Sequence, residues 1–359
     1  MGKNKTKIGE KPPLVHDTTE LLFSDILSSI TTIDLHKYLQ TKRKKQRIIK
    51  DIPLSRLFFL LERENLLNAI SHQVHLSETI ELITGMIVSE DIRRYRGLLL
   101  NIERASIYFY LYYWIFRFLN NFKASKLALE SYTSFWFLFE RIWEMQFPWG
   151  LIRPGAIVYP ITFTQIPEIQ KIVITQQKTA WKIAKTIEKK TTMKSTLEGV
   201  KNLSLDVIKK TGITGPMARA SGLISPFSTQ SSFPIRQSAQ NLQKFTYTTE
   251  YNLLNVLRVS YTELLLSLNQ ISQLLQEYFI TPQGTSNTLN GEITTTFTTT
   301  LGESHLTLNV LDDQVIYFNI IPPQMVNITG VMESLSTCPT SLQLVILLFF
   351  DPEFLTNLV

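Results

Sequence analysis

The sequence has very little cysteine and few charged residues. Cys338 is the only cysteine among 359 residues, so this chain alone cannot form an intrachain disulfide, a cysteine-based zinc site or a four-cysteine iron–sulfur cluster. Charged residues make up only 18% of the chain and hydrophobic residues 44%. This composition favours extensive buried or partner-covered surface over a free, highly charged enzyme, and the length allows a large core.

The sequence also lacks a hydrophobic segment long enough to cross a membrane as a helix. Its most apolar stretch, residues 107–116, lies between Arg104 and Arg117 and is shorter than the ~20 residues that a span requires. The apolar run at 342–350 is shorter still. The lysine-rich start leads into Pro12-Pro13 rather than an apolar core, so we expect no signal peptide. We therefore expect that the chain is not an integral membrane protein.

The net charge of +6 is largely local, with a basic run at residues 42–47. Such a run forms a solvated face or attracts anionic lipid headgroups or an acidic partner. We expect no nucleic-acid partner. Residues 1–20 have no hydrophobic period and predict a flexible basic N-terminus, and residues 21–359 then form one domain.

The hydrophobic pattern predicts an α+β fold with a central multi-helix bundle over about residues 52–280. Helical spacing begins at Ile52 and continues to about Leu82, Gly85 breaks it, and Ser89 is a candidate N-cap for a long helix that is apolar on nearly all faces. Further helices are predicted over 126–144 and 165–192, the second with a lysine-rich face. Residues 254–275 carry a heptad-like leucine seam, which favours core packing.

A small antiparallel sheet and a tail are predicted over residues 285–359. Threonine, valine and isoleucine alternate with a period of two over 292–300, 305–311 and 315–321, and Asp312-Asp313 forms the turn between the last two strands. Pro322-Pro323 ends the sheet, and a short helix is predicted over 328–336. Residues 21–50 are ambiguous: strands over 21–33 are one interpretation, and the basic run at 42–47 is then a loop.

A glycine-rich segment, Gly212-Ile213-Thr214-Gly215-Pro216-Met217-Ala218-Arg219-Ala220-Ser221-Gly222, stands out by composition. Its three glycines and one proline predict a tight loop with special backbone angles, and Arg219 is isolated among small residues. Such a loop is either structural or lies against a cofactor or a partner surface.

The glycine segment, with Leu197-Glu198-Gly199-Val200 before it, resembles a signature of one superfamily. This superfamily comprises the large subunits of membrane-bound nickel–iron hydrogenases and the homologous quinone-side subunit of respiratory complex I. Further similarity runs through residues 62–72, 81–104, 152–156 and 318–352, in the same order as in the family, so that it covers about residues 52–356. The resemblance implies a hydrogenase-large-subunit-like fold, an iron–sulfur small subunit as partner, and a peripheral location on the cytoplasmic side of the membrane with other peripheral and membrane subunits.

The four thiolates that hold nickel and iron in the family's hydrogenases are absent. The matching positions are Asn65, Asn68, Glu353 and Thr356. Because only thiolates suit that soft, low-valent centre, we expect no metal and no cofactor in this chain, although these side chains could hold a hard ion through oxygen. The tyrosine that contacts quinone in complex I subunits falls on Leu66, and the acidic residue after the glycine loop falls on Pro226. A weaker upstream match puts Gln40 where the hydrogenases have a proton-transferring glutamate.

Several other family positions are kept, and the resemblance implies that some lie near the interface with the small subunit. These interface or loop candidates are Glu62, Arg63, His72, Glu103, Arg104, Arg153, Gly215, Pro216, Arg219, Ser221 and Gly222. The charged ones could equally form buried ion pairs or cap helices. His72 and His75, three apart on a helix, could ligate a metal, but the family gives His72 no metal role, so we prefer the non-metal interpretation. We expect Arg219 on the docking face, within reach of Glu62 and Arg63.

Three functions fit these observations. The first is a non-catalytic scaffold subunit that docks an iron–sulfur subunit in a hydrogenase-like or complex I-like membrane assembly. The second is an active NADH-quinone oxidoreductase-type subunit that binds quinone or another acceptor at the small-subunit interface. The third is a free-standing interaction protein. A small subunit with cysteines for a tetranuclear iron–sulfur cluster, encoded beside this chain, would separate the first two from the third. Electron transfer through the purified assembly would separate the first from the second.

Overall fold

The computed structural model describes residues 49–64, 66–189, 191–199, 205–221, 252–276, 289–327, 330 and 346–352. The helices are α1 (Leu54–Glu64), α2 (Ala69–Thr84), α3 (Glu90–Phe118), α4 (Phe122–Trp143), α5 (Ile166–Lys189), α6 (Thr191–Glu198), α7 (Leu205–Thr211), α8 (Pro216–Ala220), α9 (Leu253–Leu274) and α10 (Pro323–Val326). The strands are β1 (Ile52–Pro53), β2 (Ile152–Arg153), β3 (Ala156–Ile157), β4 (Gly291–Thr298), β5 (Glu303–Leu311) and β6 (Gln314–Ile321). Residues 66–68 form a 3-10 turn before α2.

Helix α3 lies at the centre of the helical part. It begins after Ser89, whose hydroxyl accepts from the backbone N–H of Ile92 at 3.4 Å, as the sequence predicts. Gly85 ends α2 in the left-handed region, which is the predicted break. Helices α4 and α9 pack along α3, and α5 packs against both of them. A helix surrounded in this way must be apolar on nearly all faces, which explains the predicted pattern.

The four-stranded antiparallel sheet has the order β1-β6-β5-β4. Asp312 and Asp313 both have positive φ, as a tight turn between twisted strands requires, and confirm the predicted turn. Alternate residues of the sheet face one core cluster, in which Leu306, Leu308, Val315 and Phe318 pack on residues of α1 and α2. The sheet is thereby fixed to the helices that carry the candidates Glu62, Arg63 and His72.

Three predicted boundaries are wrong. Ile52–Pro53 is an edge strand beside β6 rather than the start of a helix, and Pro53, which has no N–H, suits that edge. Helix α4 begins at Phe122 rather than residue 126, because the Asn121 side chain accepts from the Ala124 N–H. The helix predicted over 165–192 is divided between α5 and α6. The predictions for residues 1–48, and the helix predicted over 328–336 apart from residue 330, lie outside the described residues.

Candidate functional site

The turn between β2 and β3 is held by two buried or half-buried ion pairs. Arg153 donates to the carboxylate of Glu62 on α1 at 2.7 Å. Arg96 on α3 donates to both oxygens of Glu81 on α2, and Glu81 also accepts from the Gly155 N–H at 2.7 Å. Arg96 further donates to the Arg153 carbonyl at 3.2 Å. The sequence-predicted residues Glu62 and Arg153 therefore meet, and their contact joins α1 to this hairpin.

Arg63 lies next to this hairpin on the surface, between two aromatic rings. Its Cζ is 3.5 Å from the ring centroid of Phe59 and 4.0 Å from that of Trp149. It donates to the Phe59 carbonyl at 3.0 Å. Trp149 stacks on Phe147, and the Arg153 guanidinium lies 4.7 Å from the Phe58 ring. We call the surface formed by Phe59, Arg63, Phe147, Trp149 and Arg153 the Arg63 patch.

The glycine segment packs against the turn between β4 and β5. Gly215 has φ of +87°, and a Cβ there would lie 2.1 Å from the Leu301 carbonyl oxygen, so that both backbone angle and space require glycine. Pro216 then occupies the first turn of α8, a favoured position for proline. The Thr214 hydroxyl accepts from the Glu303 N–H at 2.9 Å, and the backbone N–H of Thr214 donates to the Asn327 side chain. This loop is structural within the chain.

Arg219, at the end of that loop, forms a buried ion pair with Glu263 of α9. Its guanidinium donates to both carboxylate oxygens, one of them at 2.8 Å, and to the Thr300 carbonyl at 3.2 Å. Tyr108 of α3 also donates its hydroxyl to Glu263. The cluster thus ties α3, α8, α9 and the β4–β5 turn together. Ser221 is buried as well, and its hydroxyl donates to the Met217 carbonyl at 3.1 Å.

These surroundings shift the pKa values of three side chains in and beside the cluster. Burial, together with the Glu263 carboxylate, raises the pKa of Tyr108. Burial is the largest effect on Arg219 and acts to lower its pKa, but Glu263 and Tyr108 together, by charge and hydrogen bonds, raise that pKa above the ordinary value. Burial lowers the pKa of the neighbouring Arg104, against the opposing effect of Glu263. The Arg219 guanidinium is therefore kept protonated and the Tyr108 hydroxyl neutral.

The expected position of Arg219 on a docking face beside Glu62 and Arg63 is wrong. Arg219 is only 8% exposed and pairs with Glu263 inside the chain, whereas Glu62 pairs with Arg153 and Arg63 stacks on the rings of Phe59 and Trp149. The reason is that its partner comes from a helix 44 residues further along, which no local pattern around Arg219 indicates.

Glu103 caps the buried N-terminus of α2. Its carboxylate accepts from the N–H groups of Ile70 at 2.7 Å and Ser71 at 3.2 Å, and from the Ser71 hydroxyl. It thereby satisfies N–H groups that the first turn of a helix leaves free, a role that a side chain at the N-cap usually fills. The N-cap residue, Asn68, makes no such side-chain bond. Burial raises the pKa of Glu103 to about 7, against the opposing hydrogen bonds from Ser71 and Ile70.

The two histidines on α2 lie in separate hydrogen-bonding surroundings. Both ring nitrogens of His75 are close to hydroxyls, at 2.9 Å from Thr295 and 3.1 Å from Ser304, and its ring stacks on Phe297. His72 lies 3.4 Å from the Leu61 carbonyl. Burial lowers the pKa of His72 to about 4 and that of His75 to about 3, so both are neutral at neutral pH. These contacts favour a structural role for the pair.

Of the four positions that match the family's metal ligands, the described residues include one. Asn68 is buried, 3% exposed, at the start of α2. Asn65, Glu353, Thr356 and the loop residue Gly222 lie outside the described residues. Within the described ranges, no three His, Cys, Asp or Glu side chains form a group that could hold a metal ion. Among the helices of those ranges, none has the length and hydropathy needed to cross a bilayer.

Glu263 and Tyr108 are not among the residues predicted from the sequence, and Glu81 and Arg96 are not predicted to form a pair. One signal for Glu263 was present. Ser260, Glu263 and Ser267 are spaced three and four apart on α9, beside the leucine seam, and all three are buried. A polar stripe next to an apolar seam indicates a buried hydrogen-bonding partner on a neighbouring helix.

No known family and no curated protein matches the sequence. The structure, however, resembles a chain of the membrane-bound sulfane sulfur reductase, an archaeal respiratory membrane complex, with a TM-score of 0.73 and 18% sequence identity. The match covers 84% of each chain. The two chains share a fold. At this identity the likeness concerns the fold alone.

Proposed function

We propose that this chain is a peripheral, non-catalytic subunit of a multisubunit respiratory membrane complex, with a fold of the hydrogenase-large-subunit type. The observation that carries the proposal is the fold likeness to a chain of a respiratory membrane complex, which extends over 84% of both chains. The order of family-like motifs along the sequence supports the same assignment.

A scaffold role explains the chemistry of the candidate residues better than catalysis does. Asn68 stands where the family's hydrogenases have a metal-binding thiolate, and an amide does not stabilise a soft, low-valent metal centre. Glu62, Glu103 and Arg219 are engaged within the chain, where they fix the hairpin, α2 and the glycine loop. Their contacts stabilise the fold from within, as a scaffold role requires.

The Arg63 patch is the surface that we assign to docking of an iron–sulfur small subunit. Phe59 is 52% exposed, and Arg63 is already ordered between Phe59 and Trp149, so that little side-chain freedom would be lost on binding. Arg63 forms no ion pair with any described residue. Arginine and tryptophan are enriched where binding energy concentrates, and the guanidinium suits a carboxylate or carbonyl of the partner.

Affinity purification of the tagged chain from native membranes tests this assignment. Arg63→Ala should lower the yield of co-purifying subunits, because loss of such an anchor costs about 2 kcal/mol or more, which is about 30-fold in affinity. Lys123→Ala is the control, since Lys123 is exposed at the start of α4, at the opposite end of that helix from Phe147, and its loss also removes one positive charge. Equal yields for both variants would exclude the Arg63 patch as the docking surface. Recovery of the wild-type chain alone would refute the subunit role.

A further inference from the structure

Helix α5 has an exposed face that the proposed docking role does not use. Its buried residues, among them Ile169, Val173 and Ile183, face α4 and α9. On the opposite face exposed residues recur at intervals of three or four, with Trp181 and Lys182 adjacent to each other. Seven of them form what we call the lysine stripe: Lys171, Ile174, Lys178, Trp181, Lys182, Lys185 and Lys189.

All the charged residues of the lysine stripe are lysines. Its first and last lysines are 18 residues apart, which is about 27 Å along a helix. The two acidic residues of α5 are engaged elsewhere, Glu168 with Arg141 at 2.8 Å and Glu188 with Arg258 at 2.8 Å. None of the five lysines forms an ion pair with a described residue. Five lysines therefore line one side of α5, and no carboxylate among the described residues forms an ion pair with them.

Two apolar side chains lie within this basic face. Trp181 is 56% exposed and Ile174 is 50% exposed, so neither side chain is part of the core. Tryptophan is enriched at the boundary between membrane and water, where the indole ring fits the headgroup level. Lysine side chains near it can reach anionic headgroups while their stems follow the apolar surface.

We infer that the lysine stripe binds the surface of a membrane that contains anionic lipids. The choice of lysine favours a lipid surface over an acidic protein partner. Where this chain pairs a buried or half-buried carboxylate it uses arginine, as in Arg96–Glu81, Arg219–Glu263 and Arg258–Glu188. Lysine is a compact point charge that suits a diffuse layer of headgroups, whereas arginine suits planar, two-point recognition of a carboxylate. The inference extends the proposed function, because it adds lipid contact to subunit docking through a different surface.

Co-sedimentation of the full chain with lipid vesicles tests the inference without any partner subunit. Vesicles of phosphatidylcholine alone are compared with vesicles in which a third of the lipid is phosphatidylglycerol, at about 0.1 M and about 1 M salt, where charges are screened over about 10 Å and 3 Å. We expect binding only to the anionic vesicles at the lower salt concentration. Absence of binding there, or equal binding to both vesicle types, would overturn the inference.

Charge-matched variants assign the binding to α5. K171Q/K178Q/K182Q/K185Q should weaken partitioning by on the order of 100-fold or more, at about fivefold for each lysine near an anionic surface. The control K123Q/K126Q/K209Q/K210Q removes the same charge from exposed lysines of α4 and α7 and should bind like the wild type. K42Q/R43Q/K44Q/K45Q measures how much of the vesicle binding depends on the basic run at residues 42–47. If the α5 variant and the control lost vesicle binding equally, the attraction would depend on total positive charge rather than on α5, and the assignment would be overturned.

Two outcomes separate this inference from the proposed function. A wild-type chain that co-purifies with its subunits but does not bind anionic vesicles contradicts lipid binding and leaves the subunit role intact. If the α5 variant then loses its co-purifying subunits, the stripe binds an acidic protein instead. Trp181→Ala should reduce vesicle binding severalfold without removing its salt dependence, and an unchanged affinity would contradict insertion of the indole ring.

Discussion

Removal of Arg219 should destabilise the isolated chain rather than only its docking to a partner. Arg219 and Glu263 are 8% and 5% exposed, and the Arg219 guanidinium contacts both oxygens of the Glu263 carboxylate. In Arg219→Ala this carboxylate stays buried without its arginine, a change that typically costs about 3–5 kcal/mol of folding free energy. That loss is a large part of the about 5–15 kcal/mol that stabilises a typical domain.

Urea unfolding followed by circular dichroism measures this loss, with the free energy extrapolated linearly to zero denaturant. Arg141→Ala is the matched control, because the Arg141–Glu168 pair has the same type of contact at 2.8 Å but its side chains are 63% and 42% exposed. Breaking an exposed pair should cost less than about 1 kcal/mol. Arg219→Met/Glu263→Leu, which removes both charges, should recover part of the loss. If Arg219→Ala and Arg141→Ala were equally stable, the reasoning about the buried pair would be refuted.

Two further predictions concern the glycine loop and the cap of α2. Gly215→Ala should cost about 2–4 kcal/mol in the same urea assay, because a Cβ would meet the Leu301 carbonyl at 2.1 Å in a left-handed backbone. Gly85→Ala, with φ of +65° but open space, should cost only about 1–2 kcal/mol, and equal losses would contradict the close approach. In the folded chain the pKa of Glu103 is about 7, above the ordinary value of 4.5. The contribution of Glu103 to the free energy of unfolding is therefore complete below about pH 4.5 and is lost as the pH rises through 7. Between pH 5 and pH 8 the free energy of unfolding of the wild type should therefore fall by about 2–3 kcal/mol relative to that of Glu103→Gln. A difference between the two proteins that does not change with pH would contradict a neutral buried Glu103 at pH 5.

Local signals in the sequence predict most of the described elements. Ser89 and Gly85 mark the boundaries around α3 because helix caps depend on residues close in sequence. Asp312-Asp313 marks the hairpin turn for the same reason. The edge strand at Ile52 is missed, since its pairing with β6 joins residues more than 250 positions apart.

The candidate site is less predictable, because its contacts are tertiary. The sequence brings Glu62 and Arg153 into one set of candidates, and the structure places them 2.7 Å apart. Arg219 is singled out for its isolation among small residues, but its partners, Glu263 and Tyr108, lie 44 and 111 positions away. An isolated arginine in a tight loop therefore indicates a buried partner as readily as an interface.

Identification of the chains that accompany the wild-type protein from native membranes tests the central proposal most directly. Mass spectrometry of the affinity-purified assembly, combined with elemental analysis, should find a smaller subunit with cluster-binding cysteines in equal amount, iron in that subunit, and no stoichiometric nickel. Recovery of the chain without such a subunit would contradict the docking role, and stoichiometric nickel held by this chain would contradict the loss of the metal centre.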